Sequence, residues 1–98
     1  MLNEMEYKRA TYYETDDYRV YVEMINDLPF VHVAIFNFSK EILEEIKEVW
    51  AQIVLDVYFE GYEFLFAHTD DNRIIKMIGG AEMIGEHNGR EVWKWDLS

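Results

Sequence analysis

Cysteine is missing from this 98-residue chain. Disulfides, thiolate metal sites and a cysteine nucleophile are therefore excluded, and the composition suits a reducing compartment. Positive charge is scarce as well: nine Lys and Arg stand against twenty Asp and Glu, a formal net charge of −11. A field of that sign repels nucleic-acid phosphate and anionic lipid, so neither direct nucleic-acid binding nor membrane docking is expected. No apolar run approaches the roughly 20 residues that a bilayer-spanning helix requires. The opening MLNEMEYKRA carries charges where a secretory signal would place its apolar core. Linkers, repeats and low-complexity segments are absent, and no glycine occurs before Gly61. The expectation is one domain over residues 1–98, located in the cytoplasm.

What the chain does have is apolar and aromatic bulk. Half its residues are hydrophobic, with six Phe, seven Tyr and three Trp. That is enough to bury a core, unlike an acidic disordered tail. Tyr7 to Glu14 and Tyr18 to Asn26 read as two strands around Thr15-Asp16-Asp17, rich in tyrosine and β-branched residues. In the second, Val20, Val22 and Met24 share one face and Arg19, Tyr21 and Glu23 the other, the period-2 alternation of a half-wet strand. Asn26-Asp27-Leu28-Pro29 is a turn. Val31 to Phe38 is apolar on both faces, as a central strand is.

Ser39 then reads as the N-cap of a helix over Lys40 to Glu60, ended by Gly61. Its stripe of Ile42, Ile46, Val49, Trp50, Ile53, Val57 and Tyr58 recurs at helical spacing and faces away from Glu41, Glu44, Glu45, Glu48, Gln52 and Asp56. Tyr62 to His68 is a strand, Thr69 caps a short helix containing Asp70 and Asp71, and Gly79-Gly80 stop it. Ala81 to Glu86 and Arg90 to Trp95 form a hairpin closed on Asn88-Gly89, which accepts the positive φ angles of a type I′ turn. The order β-β-β-α-β-α-β-β predicts an α/β (α+β) fold with a mixed, mostly antiparallel sheet and right-handed crossovers.

Residues 31–95 resemble the closing half of the GNAT acyltransferase fold. The residues that carry the likeness are Asp71-Asn72-Arg73, then Ile75, Met77 and Ile78, then Gly80-Ala81 and Trp93-Lys94-Trp95. The resemblance implies a place for acetyl-coenzyme A, with Asn72 standing where the family has an asparagine that contacts the cofactor or orients the amine. Phe36 and Phe38, at the junction after the central strand, would also lie against that cofactor. The departures point the other way. The family's pyrophosphate loop uses a basic residue or glutamine and spaced glycines, because bare backbone N–H groups at a helix N-terminus hold phosphate oxygens. Here the junction reads Phe36-Asn37-Phe38-Ser39-Lys40-Glu41, with no glycine and a single cation among carboxylates. The family's general-acid tyrosine has no counterpart, because Gly79 occupies its place. No catalytic residue is assigned and no cofactor is expected, although acetyl-CoA follows if the enzyme reading holds.

Other clusters have plainer readings. His32, His68 and His87 share no metal-ligand spacing, so no metal site is assigned; His68 beside Asp70 and Asp71 is a strand end meeting a helix start before it is an acid–base cluster. The tyrosine-rich ribbon offers Tyr12, Tyr13 and Tyr21 to an interface, including that of a homodimer. Glu44 and Glu48 mark the acidic side of the long helix, either a solvated face or a surface for a basic partner.

The favoured expectation is a non-catalytic, GNAT-like acidic protein acting by protein–protein binding. Its style is that of bacteriophage and prophage proteins that serve as virion components or host-inhibiting factors, which would place it in a host cytoplasm or a virion. A minimal acyl-CoA-dependent N-acyltransferase is the alternative, and an acidic DNA mimic the weaker one.

Overall fold

Alternation in the second strand decides which side of the sheet is dry. The computed structural model describes residues 9–98, so the expectation that the first strand starts at Tyr7 lies outside the described residues. Eight elements follow one another: β1 (Arg9–Glu14), β2 (Tyr18–Ile25), β3 (Leu28–Ile35), α1 (Lys40–Phe59), β4 (Phe64–Thr69), α2 (Arg73–Ile78), β5 (Ala81–His87) and β6 (Arg90–Asp96). The fold is α+β, as the patterning predicts, with a six-stranded sheet in the order β1-β2-β3-β4-β6-β5. Among the described strands, only β3 and β4 are parallel neighbours, and every other pairing is antiparallel.

The β2–β3 turn bears out its chemistry. Asn26 and Asp27 both take positive φ, 53° and 65°, as a two-residue hairpin loop with right-handed strand twist demands. The strand after it starts earlier than the apolar run suggests, at Leu28, and ends at Ile35. Pro29 is tolerated there because it stands opposite Met24, the non-hydrogen-bonded pair next to the loop-closing Ile25–Leu28 pair, where β2 asks no N–H of it. Asn88 and Gly89 close the last hairpin with φ of 53° and 80°.

Tyr18, Val20 and Val22 of β2 pair with Ile35, Val33 and Val31 of β3, so these side chains share one face. Leu65, Ala67, Trp93 and Trp95 continue that face across β4 and β6. Onto it α1 lays Ile42, Ile46, Ile53 and Val57, and α2 adds Ile75. Ser39 caps α1 as expected: its backbone is extended and its Oγ accepts the Ile42 N–H at 3.2 Å. Gly61, at φ 102°, follows the end of the helix in a conformation that a side chain would strain. The opposite face carries Phe30, His32, Phe66 and His68, and no described helix packs on it.

At the α1 edge of the core, Tyr18 is fully buried, and its hydroxyl donates to Glu45 Oε1 at 3.0 Å. Burial first, and the Glu45 carboxylate second, push the phenol up to about 12 from 10.0. The neutral phenol's contribution to stability is complete below pH 10 and declines as pH rises from there towards 12, because the unfolded chain ionises first. Urea unfolding of the wild type should therefore weaken across that alkaline range more steeply than unfolding of Tyr18→Phe. Parallel pH profiles for the two proteins would contradict this placement of Tyr18.

Candidate functional site

Parallel strands meet only through a crossover, and α1 is that crossover between β3 and β4. The two strands are in register at a single pair, Phe30 opposite Phe66. Beyond that pair they part, and a cavity of about 680 Å³ opens between their C-terminal ends. Val31 to Ile35 line it from β3, Ala67 to Thr69 from β4, and Trp50, Ile75 and Trp95 close its apolar side. This is where open α/β sheets present ligands: outside the carboxyl ends of neighbouring parallel strands.

Three of the chain's four arginines, Arg19, Arg73 and Arg90, border the cavity of this otherwise acidic protein. Two of them are already neutralised. Arg19 reaches Glu14 at 3.0 Å. Arg73 grips Asp71 through its Nε and Nη2, with Nη2 2.6 Å from Oδ2, and its hydrogen bonds draw the Asp71 carboxyl down to about 2. Asp70 adds further negative charge to the rim. His68 also borders the cavity, its ring edge-on to Phe30 and His32, and its Nε2 is buried with no hydrogen-bond partner among the described residues. His32 stacks on Tyr21 and lies 3.1 Å from Glu23 through Nε2.

The start of α2 differs from its sequence reading. The helix begins at Arg73, so Asp70 and Asp71 precede it. Thr69 caps no helix; its Oγ1 accepts the Asp71 N–H at 2.9 Å and donates to the Asp71 carbonyl at 2.8 Å. Asp71 takes over the capping task, accepting the Arg73 N–H at 3.2 Å. Short polar side chains compete in this way with the helix they precede.

Asn72 does not face into the cavity. Its Nδ2 donates to Glu91 Oε1 on β6 at 2.9 Å, and the Trp93 indole donates to the same oxygen at 2.9 Å. These two hydrogen bonds, the Asn72 one foremost, hold the Glu91 carboxyl below the usual glutamate range, with Lys76 adding a smaller pull. Gly79 follows α2 at φ 84°, and its carbonyl accepts the Trp95 indole N–H at 2.9 Å.

The β3–α1 junction is bound to the β1–β2 turn. The Asp17 carbonyl accepts the N–H groups of Phe36 at 2.7 Å and Asn37 at 3.1 Å, and Asn37 Nδ2 donates to Asp17 Oδ1 at 3.1 Å. Phe38 borders the cavity. Phe36 does not, and lies under the Arg19 guanidinium at 6.0 Å. Both phenylalanines are more than half exposed.

The interface candidates separate. Tyr12 packs against the core cluster and Tyr13 stands 5.8 Å from Tyr18, on the helix-covered side. Tyr21 lies on the other face, against His32. Glu44 and Glu48 stand exposed on α1. Arg19 and Arg90 were missed from sequence because their approach to the cleft depends on strand order. No described group of three or more His, Asp or Glu side chains is placed to hold a metal, and no described helix is long and apolar enough to cross a membrane. No protein-family model matches this chain, and comparison with curated proteins and with solved structures finds no significant similarity.

The Asn72–Glu91 hydrogen bond is testable by side-chain carboxyl NMR. Glu91 should titrate below an ordinary glutamate, and Asn72→Ala should move it upward. A Glu91 midpoint unchanged by the substitution would remove the bond.

Proposed function

We propose that this chain is a GNAT-like protein that acts by binding another protein and does not transfer acyl groups. One observation carries the reading: three backbone amides of the junction after β3, those of Phe36, Asn37 and Ile42, are bound inside the protein. Phosphate recognition at a helix start needs free N–H groups and close approach of the backbone. Here Asp17 takes the amides of Phe36 and Asn37, and Ser39 takes that of Ile42. Releasing one such bond leaves a donor or acceptor unsatisfied, at a cost of about 1–3 kcal/mol where the group is buried. Asn72, the residue that the resemblance places at the chemistry, is committed as well, to Glu91.

A second reading has its own support. The cleft where β3 and β4 splay apart has a volume of about 680 Å³, which suits a small-molecule ligand. A minimal N-acyltransferase using acetyl-CoA remains the alternative on that ground.

Calorimetric titration with acetyl-CoA separates the two. The protein-binding reading expects no heat of binding at micromolar coenzyme with either wild type or Asn72→Ala. Micromolar affinity in the wild type that is lost in Asn72→Ala would overturn it in favour of the enzyme.

A further inference from the structure

On the side of α1 turned away from the sheet, the residues change character along the helix. Glu44, Glu48, Ala51, Leu55 and Phe59 follow one another at three- and four-residue steps and are all exposed. At about 1.5 Å per residue, the row from Glu44 to Phe59 is roughly 22 Å long. Its first half carries the Glu44 and Glu48 carboxylates, with Lys40 and Lys47 also exposed beside Glu44. Its second half is apolar: Leu55 is 50% exposed, Tyr58 46% and Phe59 78%. Tyr58 and Phe59 touch edge to face, with ring centroids 5.9 Å apart, so the three side chains form one patch. The patch is unexplained by the fold, because the core is supplied by Ile42, Ile46, Ile53 and Val57 on the other side of the same helix.

We propose that this outer face of α1 is a docking surface, and that its occupant is a basic amphipathic segment of another protein. The proposal rests on the protein-binding reading above and names its surface and partner chemistry. Charge selects the occupant. A nucleic acid or an anionic membrane is repelled by a chain of net charge −11. A second copy is disfavoured in either orientation. Packed parallel, the two helices set Glu44 and Glu48 against the same carboxylates; packed antiparallel, they set those carboxylates against Leu55 and Phe59. A segment carrying a bulky apolar anchor at one end and Lys or Arg at the other satisfies both halves. Its anchor covers Leu55, Tyr58 and Phe59, and its cations reach Glu44 and Glu48, which form no ion pair among the described residues.

The probe is a helical peptide of lysine and leucine in an amphipathic pattern, titrated into the ¹⁵N-labelled full chain. A lysine and serine peptide of equal charge is the control. The expected result is amide shifts confined to residues 44–59 of α1. Affinity should fall about tenfold in the Phe59→Ser variant and with the serine control, and by a smaller factor in Glu44→Gln/Glu48→Gln. Phe59 is so exposed that Phe59→Ser keeps the fold, checked by its unchanged amide spectrum outside α1. Equal binding of the serine peptide, shifts centred on β1 and β2, or no binding by the leucine peptide would each overturn this surface. None of those results bears on acetyl-CoA, so the coenzyme titration still decides the broader reading independently.

Discussion

The parallel pairing of β3 with β4 is the constraint from which the rest of the molecule follows. Two parallel neighbours cannot be joined by a tight turn, so the chain must cross the sheet, and α1 is that crossing. Crossing buries Ile42, Ile46, Ile53 and Val57 on the dry side of β2, β3 and β4, and this forms the core. The same pairing points both strand ends the same way. Because β3 and β4 share only the Phe30–Phe66 position, they part above it and leave the cleft. Core and cleft are therefore two results of one topological choice.

Electrostatics then sets the character of each surface. The cleft gathers Arg19, Arg73 and Arg90, yet Glu14 and Asp71 neutralise two of them and Asp70 sits beside them. The junction after β3, where a phosphate-binding loop would lie, is instead held to the β1–β2 turn by Asp17. A polar backbone that is already satisfied gains little from a new ligand and loses the bonds it gives up. The outer side of α1 is the reverse case. Glu44, Glu48 and the apolar patch lack partners among the described residues, and the proposed basic segment would supply both.

Much of this fold was legible in the sequence wherever the signal is local. The Asn88-Gly89 turn, the Ser39 cap and the α1 stripe depend on residues within a few positions of one another, and the structure has them as expected except for Tyr58. The stripe included that residue, which is exposed on the outer side of the helix. Alternation in Tyr18–Ile25 likewise predicted its buried face. The site was less legible because its contacts are long-range. Asn72 meets Glu91 from 19 residues away, and Asp17 meets the Phe36 amide across the whole β2–β3 hairpin. Arg90 reaches the cleft from the start of β6, a strand inserted beside β4 in the sheet, and nothing in the spacing of residues announces it. The tyrosines illustrate the same limit, since a bulge between Thr11 and Tyr13 sets which of them turn towards α1.

The account turns on whether the Phe36 and Asn37 amides after β3 are engaged within the protein itself. Amide hydrogen exchange on the free chain measures that directly, residue by residue. Phe36 and Asn37 are predicted to exchange slowly, alongside the strand amides of β2 and β3, and to speed up when the β1–β2 turn is loosened by Asp17→Gly. Free-peptide exchange rates at both positions in the wild type would contradict the account, because those amides would then be available to a phosphate.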